Sequence, residues 1–317
     1  MTEATINHAA DSIIEHVRGT NARVVSIFGP TGSGKTDVAV RVAAALGTRV
    51  VNADPAQCYD GLPILTNKPT EEHDAIARHE LVGIWSLSTY ATVASFATAA
   101  HESVDRLVER NNCAVIAGGS GMYMLAALSE LSFGDHESGD RGEHRRTELE
   151  RHYDEAGFDA AYAELRRRDP HAARSVHPND RKRVIRALDV AMSGSSIASG
   201  SIWDAPARHA TASFGLALER SVMHDRINSR THTMFSAGVL HEVSAVTGPT
   251  GDDLSLLSET SVKLHGLSDC IDILAGRITQ EVGMQQMATR TRQYAKRQDT
   301  WARRWPGLVP ITCSPER

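Results

Sequence analysis

The residues of this chain that could do chemistry begin with Gly29-Pro30-Thr31-Gly32-Ser33-Gly34-Lys35-Thr36, a loop of the form G-x-x-x-x-G-K-[ST]. Such a loop turns successive backbone N–H groups inward, and a helix starting at its end adds partial positive charge. Lys35 adds a full charge, and Thr36 offers a hydroxyl to Mg²⁺. Gly29, Thr31, Gly32, Ser33, Gly34, Lys35 and Thr36 are therefore expected to hold a phosphate chain. The motif leaves open whether those phosphates belong to a nucleoside triphosphate or to another diphosphate. A second candidate is Asp54, an acid directly after an apolar run, and a third is the glycine-rich stretch Gly118-Gly119-Ser120-Gly121.

The elements that must position these groups follow from the apolar pattern. Val24 to Phe28 reads as a buried strand before the loop, and Asp37 to Leu46 as the helix after it. Thr48 to Ala53 is a second strand ending at Asp54-Pro55, and Cys113 to Ala117 a third ending at the glycines. In parallel α/β sheets the carboxyl ends of strands face the ligand crevice, so Asp54 belongs on the rim that carries the loop. Gln57 to Thr70, with Gly61, Pro63 and Pro69, reads as a long loop of the kind that is usually functional, followed by a short strand near Glu80-Leu81-Val82. Helical spacing runs from Thr92 to Arg110 and resumes from Met122 to Leu131. Nucleotide-hydrolysing enzymes of this architecture commonly end an apolar strand in an acid that holds Mg²⁺. Here the third strand ends in glycines, which leaves Asp54 as the one well-placed acid, open to other work.

The expected fold is α/β, a P-loop NTPase-like parallel sheet flanked by helices, with a helical insertion. Residues 1–131 form the first part of the core, 132–212 the insertion and 213–317 the return to the core with C-terminal helices. The insertion carries helical segments at Asp140 to Ala156, Asp159 to Arg168 and Asp180 to Met192, then a Ser/Gly linker from Ser193 to Ser201. Strand character returns at Phe214 to Leu218. Met223 to Val246 and Ser258 to Arg304 read as mainly helical, broken at Gly248-Pro249-Thr250-Gly251.

With 41% hydrophobic residues the 317-residue chain can fill a core, and no apolar run approaches the roughly 18 residues of a membrane span. Met1 to Arg18 carries Glu3, Asp11 and Glu15 where a leader would be apolar, so a cytoplasmic protein without membrane contact is expected. Cys58, Cys113, Cys270 and Cys313 are too scattered to indicate a zinc site or a disulfide framework. The formal net charge is −5, yet two segments are basic. One holds Arg166, Arg167, Arg168, Arg174, Arg181, Lys182, Arg183 and Arg186 against Asp169, Asp180 and Asp189. The other holds Arg290, Arg292, Lys296, Arg297, Arg303 and Arg304 against Asp299 alone. Such clusters fit a polyanionic partner as well as they fit solvated helix faces.

Several separated stretches resemble the tRNA dimethylallyltransferase (tRNA isopentenyltransferase) family. They are Gly29 to Thr36, Asp54-Pro55-Ala56-Gln57-Cys58-Tyr59-Asp60-Gly61-Leu62, Thr66-Asn67-Lys68-Pro69 and Ala117 to Tyr123. Further on come His177-Pro178-Asn179-Asp180-Arg181-Lys182-Arg183 through Val190, Arg226 to Arg230 with Met234 and Gly238, and Thr291-Arg292-Gln293-Tyr294-Ala295-Lys296-Arg297-Gln298-Asp299-Thr300-Trp301. They span nearly the whole chain, and the HPND and QYAKRQ-x-TW stretches are the specific ones.

The resemblance implies that the loop binds the diphosphate of dimethylallyl diphosphate rather than ATP, which would account for the missing second acid. It implies that Asp54 acts as general base toward the exocyclic amine of an adenosine beside the anticodon. Removing that proton as the C–N bond forms helps an amine whose lone pair is delocalised. Lys35, the loop amides and Mg²⁺ on Thr36 would stabilise the departing diphosphate. Ser120 and Gln57 match residues that touch the reacting nucleotide, and Lys182, Arg183 and Arg186 match a stretch that grips the anticodon stem-loop. Arg230, Lys296 and Arg297 lie in matching stretches and are expected to contact tRNA too; the working unit is expected to be a monomer. The chain departs from the family pattern at Pro55 (usually Ser), Cys58 (usually Val), Glu80 (in a His-His-Leu run) and Leu267 (in a Gly-Tyr pair), which bears on the acceptor more than on the reaction. An adenylate isopentenyltransferase shares the loop and the acid but needs neither the insertion nor the second basic segment. A small-molecule kinase would need a second strand-end acid, and a non-catalytic nucleic-acid binder would not need Asp54.

Overall fold

The computed structural model of the protein describes residues 2–131, 140–192 and 202–313. The chain runs α1 (Glu3–Arg18), β1 (Val24–Phe28), α2 (Lys35–Ala45), β2 (Val50–Asn52), a 3₁₀ turn at Pro55–Cys58, α3 (Pro63–Thr66), α4 (Glu71–Ile76), β3 (His79–Glu80), α5 (Val93–Asn111), β4 (Ala114–Gly118) and α6 (Gly121–Leu128). The insertion contributes α7 (Asp140–Ala156), α8 (Phe158–Arg168), α9 (Pro170–Ser175) and α10 (Arg181–Met192). The chain then returns through β5 (Thr211–Ala217), α11 (Arg220–Ser236), α12 (Val239–Thr247), α13 (Leu267–Leu274), α14 (Gln280–Arg304) and β6 (Val309–Thr312).

The strands form one parallel sheet in the order β3-β2-β4-β1-β5-β6. β1 and β4 are buried along their whole length, as central strands covered on both faces must be. One layer of the core comes from α1 and α2. Ile6, Ala9, Ala10, Ile13, Ile14 and Val17 recur at helical spacing on α1 and join Val38, Val42 and the sheet residues Val25 and Ile27. The N-terminal stretch is thus an amphipathic core helix. β6 is likewise absent from the elements expected of the sequence: it is a four-residue edge strand whose Pro310 lies opposite Gly215, and an edge is where a sheet tolerates proline.

Two further differences lie between β2 and α5. Residues 57–70 are not a continuous loop, since the 3₁₀ turn and α3 occupy part of that stretch. α3 is held from afar, because the Glu242 carboxylate on α12 accepts the N–H groups of Ile64 at 2.7 Å and Leu65 at 2.8 Å. β3 ends at Glu80 because Leu81 turns to φ +64°, outside strand geometry.

The chain divides into two compact units, residues 1–129 with 207–317, and residues 130–206. The core therefore resumes at Ala207, before the expected boundary at 213, and β5 begins at Thr211. The insertion has its own small core of Leu149, Leu165, Val176, Val184, Ile185 and Leu188. It includes α9, which the sequence pattern does not reveal and which starts at Pro170 with Asp169 Oδ1 accepting from the N–H groups of His171 and Ala172. The Ser/Gly stretch 193–201 lies outside the described residues.

Candidate active site

Register assembles the rim. Phe28 pairs with Gly118 and Asn52 with Ala117, so Gly29, Asp54 and Gly119 follow the paired ends of three adjacent strands at one edge. Gly118 permits this approach, since a Cβ there would lie 2.6 Å from the Ala53 carbonyl oxygen. In the loop, Gly32 and Gly34 sit at φ +86° and +78°, the left-handed region that favours glycine. No side chain caps α2 at Gly34, which leaves its first N–H groups for a ligand. Ser33 Oγ is buried without a hydrogen-bond partner among the described residues, a state that a bound phosphate oxygen or water would relieve.

Asp54 is fixed by its neighbours. Its N–H donates to Asn52 Oδ1 at 3.0 Å, and its own Oδ1 accepts from the Ala56 N–H at 3.1 Å, capping the turn that Pro55 opens. Two cations feel this carboxylate. Burial pushes the Lys35 ammonium down to about 8, with Asp54 opposing the shift and Arg230 adding to it. Burial also lowers Arg230, again against the pull of Asp54. Two desolvated cations share one carboxylate, an imbalance that a bound polyanion would correct.

Beside Asp54 opens a cavity of about 450 Å³. α11 supplies Ile227, Arg230, Thr231 and Met234 to its wall, and α14 supplies Met287, Thr291, Tyr294 and Arg297, each set at helical spacing. Thr31 and Asp54 come from the rim, and Leu65, Tyr59, Tyr123 and Leu264 add apolar and aromatic surface. The Tyr294 phenol is pushed up to about 12, chiefly by burial and then by Asp54, against hydrogen bonds with Ser120 and Gln298. His265 stacks on Tyr294 with ring centroids 6.1 Å apart, and its Nε2 lies 2.8 Å from Thr291 Oγ1. Burial and the charges of Arg230, Arg290 and Arg297 lower this imidazole, which favours its neutral form.

Of the residues singled out in the sequence, Thr31, Asp54, Arg230 and Arg297 meet at this cavity; Lys35 does not line it, though Asp54 there supports its charge. Ser120 adjoins it through the Tyr294 phenol. Gln57 does not line it: its Nε2 donates to the Asn67 carbonyl at 2.7 Å. Lys296 turns away, because one residue on a helix is a rotation of about 100°. It lines an outer groove with Arg220, Arg292, Asp299 and Arg303. In the insertion, Lys182 and Arg183 are exposed, with Arg183 paired to Asp180 at 3.3 Å. Arg186 is instead committed to the buried Asp189, also at 3.3 Å, so it is not the open cation its spacing suggested. The HPND stretch starts α10: Asp180 Oδ1 accepts the Arg183 N–H and its carbonyl accepts the Val184 N–H.

The sequence reading missed Tyr59, Tyr123, His265, Thr291, Tyr294 and Gln298 as site residues. For the last three a signal existed, since Met287, Thr291, Tyr294 and Gln298 recur at intervals of four, three and four on one helix face. Of the four departures from the family pattern only Pro55 touches the cavity. Cys58 is fully buried with its thiol pushed up to about 12 by desolvation, Glu80 pairs with Arg49 and Arg106, and Leu267 is buried at the start of α13.

Among the described residues no three His, Cys, Asp or Glu side chains converge as a metal cage. The oxygen donors at this edge include Thr36, half-buried in the first turn of α2, and Asp54. That set suits Mg²⁺, which takes one or two protein oxygens and fills its shell with phosphate oxygens and water.

A family model described as IPP transferase matches residues 57–305. The chain is 32% identical over 284 residues to a tRNA dimethylallyltransferase of Streptomyces coelicolor, covering 90% of this chain and 88% of that one. It is 34% identical over 293 residues to a tRNA dimethylallyltransferase of Anaeromyxobacter dehalogenans, covering 91% and 94%. Among solved structures it resembles the full-length tRNA isopentenylpyrophosphate transferase of Bacillus halodurans, with TM-score 0.66, 31% identity and coverage of 92% and 90%. A eukaryotic dimethylallyltransferase acting on tRNA shares the fold with TM-score 0.75 at 23% identity, over 92% of this chain and 74% of that one.

Proposed function

The chain belongs to the IPP transferase family, and from that premise we propose that it transfers a dimethylallyl group from dimethylallyl diphosphate to the exocyclic amine of an adenosine next to the anticodon of a tRNA. The observation that supports this best is the union, at one sheet edge, of a phosphate loop, a carboxylate and an aromatic-lined cavity of about 450 Å³. That volume is in the range of pockets that enclose a small organic ligand. The loop amides and Lys35 hold the diphosphate, with Arg230 beside them. As the allylic C–O bond breaks, negative charge grows on the diphosphate, and the two desolvated cations gain most from it at that moment. The new C–N bond forms on the amine while Asp54 accepts the amine's proton. Asp54 then has two tasks, since the same carboxylate caps the turn at Pro55. Mg²⁺, held by Thr36 and diphosphate oxygens, would supply further neutralisation of the leaving group. The aliphatic and aromatic wall takes the prenyl chain and a base lifted from its stack, which loops release more cheaply than duplexes do. The exposed Lys182 and Arg183 serve the anticodon stem-loop, and the protein works as a cytoplasmic monomer. No helix among the described residues is long and apolar enough to cross a membrane.

The test is incubation with Mg²⁺, dimethylallyl diphosphate and either tRNA or AMP, with the product identified by mass. A prenylated tRNA is the expected result. Product on AMP and none on tRNA would replace this reading with an adenylate isopentenyltransferase, and equal displacement of the donor by ATP would point to a kinase.

A further inference from the structure

One buried side chain of α14 has no part in the transfer chemistry. Gln298 is 3% exposed, and both ends of its amide are engaged. Its Oε1 accepts the Thr31 backbone N–H at 2.9 Å, and its Nε2 donates to the Gly119 carbonyl at 2.8 Å. One amide thus spans the phosphate loop after β1 and the glycine turn after β4. The Tyr294 phenol lies beside the bridge, and Gln298 and Ser120 are among the groups that hold its proton affinity down against burial. The packing is tight around this bridge. A Cβ on Gly119 would collide with the Gln298 amide and come within 2.8 Å of the Gly29 carbonyl, and one on Gly121 would strike the Trp301 ring, one turn further along α14.

We propose that Gln298 is a positioning residue for donor binding: its amide ties Thr31 to Gly119 and holds the phosphate loop in its diphosphate-ready shape before the donor arrives. The Thr31 N–H belongs to the loop that should wrap the phosphates, yet it is spent on the protein. Its bond therefore shapes the loop. Without the tie, the loop samples shapes that cannot take a diphosphate, and apparent affinity falls by the fraction of competent loop. α14 carries Thr291, Tyr294 and Arg297 into the cavity wall as well, so one helix sets the donor loop and the acceptor wall in common. The identity of the donor rests on the proposed function; the tie itself is testable without turnover.

Gln298→Met keeps the length and most of the volume of the side chain and removes its hydrogen bonds. In the full-length protein, calorimetry with inorganic pyrophosphate should show affinity lower by about tenfold. In transfer assays the KM for dimethylallyl diphosphate should rise by a similar factor, while the KM for tRNA stays within about twofold. A purely structural role would instead lower the melting temperature and leave pyrophosphate affinity at the wild-type value, which would overturn the proposal. If the Met variant does not fold, Gln298→Asn, polar but one methylene too short to span both partners, should give the same loss of pyrophosphate affinity, and wild-type affinity in it overturns the proposal equally. A wild-type protein that binds pyrophosphate but prenylates no tRNA would sink the proposed function while leaving the pyrophosphate comparison decisive for Gln298.

Discussion

The two basic segments of this chain look alike in composition and are spent differently in the fold. In the insertion, Arg167 and Arg168 both pair with Glu164, Arg181 with Asp154, Arg183 with Asp180, and Arg186 with Asp189. On α14 Asp299 is the one acid within the segment; Arg290 pairs with the buried Asp269 of α13 at 3.1 Å, and the other cations divide by helix face. Arg297 stands 5.7 Å over the Tyr294 ring in the cavity wall, Arg292 donates to Asn228 Oδ1 at 2.7 Å, and Lys296 lines the outer groove. A charge count cannot tell a cation that binds a partner from one that closes a local ion pair. The difference also sets the scale of what mutation can do. Lys35 and Arg230 beside Asp54 are desolvated and, on the proposed reaction, would act on forming charge, whereas exposed pairs in the insertion are worth about 0–1 kcal/mol each.

The contrast is sharpest at Lys35. Lys35→Ala removes a half-buried cation from the loop and should lower transfer by at least about 10³-fold, with loss of pyrophosphate binding in calorimetry. Asp54→Asn comes next. Asn keeps an oxygen for the Ala56 N–H, so the turn stays capped, but the proton acceptor is gone and Lys35 and Arg230 lose the carboxylate that holds their charge against burial. Single-turnover transfer should fall by roughly 10²-fold while donor affinity stays near normal, since losing the carboxylate weakens the cations' charge but also removes its own repulsion of the diphosphate. Near-normal single-turnover transfer would remove the general-base role, and parallel loss of folding would leave Asp54 as a structural cap.

A smaller effect follows from the depressed Lys35 ammonium. In the free protein its charge is present below about pH 8 and lost above it, so kcat/KM for the donor should fall about tenfold per pH unit beyond that point. Bound diphosphate favours the protonated form, so kcat should hold its level to higher pH. Lys35→Arg, if it transfers at all, should erase the alkaline limb because guanidinium stays charged. A flat kcat/KM profile in the wild type up to about pH 10 would show that Lys35 is not depressed.

How much of this was legible depended on whether the cause was local. The unit β1, loop and α2 could be read directly, since Val24 to Lys35 contains its own strand pattern and turn glycines. Asp54 could be placed on the rim for the same reason. Its company could not, because Arg230 reaches it from α11, and no periodicity in residues 48–54 encodes that meeting. α3 escaped detection because its cap is the Glu242 carboxylate, 178 positions from Ile64. Tyr294 and Gln298 stood inside a recognised stretch, yet attention to charge favoured Lys296, whose helix angle takes it away from the cavity. The rotation of α14 was available in the spacing of Met287, Thr291, Tyr294 and Gln298; which face was inward was not.

The smallest effects belong to the insertion, and they separate cations that the sequence grouped together. Lys182 and Arg183 are exposed in the first turn of α10, and the Arg183–Asp180 pair, with the Arg183 side chain 75% exposed, costs little to exchange for an RNA phosphate. Changing both to Ala should weaken tRNA binding moderately and reduce the slope of log affinity against log salt by about one unit for each phosphate no longer neutralised, with donor KM unchanged. Arg186 should behave in the opposite way. Its partner Asp189 is fully buried and also accepts from Arg145 Nε at 2.6 Å, so losing Arg186 leaves that buried charge less well neutralised. Arg186→Ala should therefore cost about 1–2 kcal/mol of insertion stability, seen as earlier melting, while the salt slope stays at the wild-type value. A slope that falls in Arg186→Ala as much as in the Lys182/Arg183 double variant would mean that Arg186 leaves Asp189 to meet the RNA, and the division between spent and available cations would have to be redrawn.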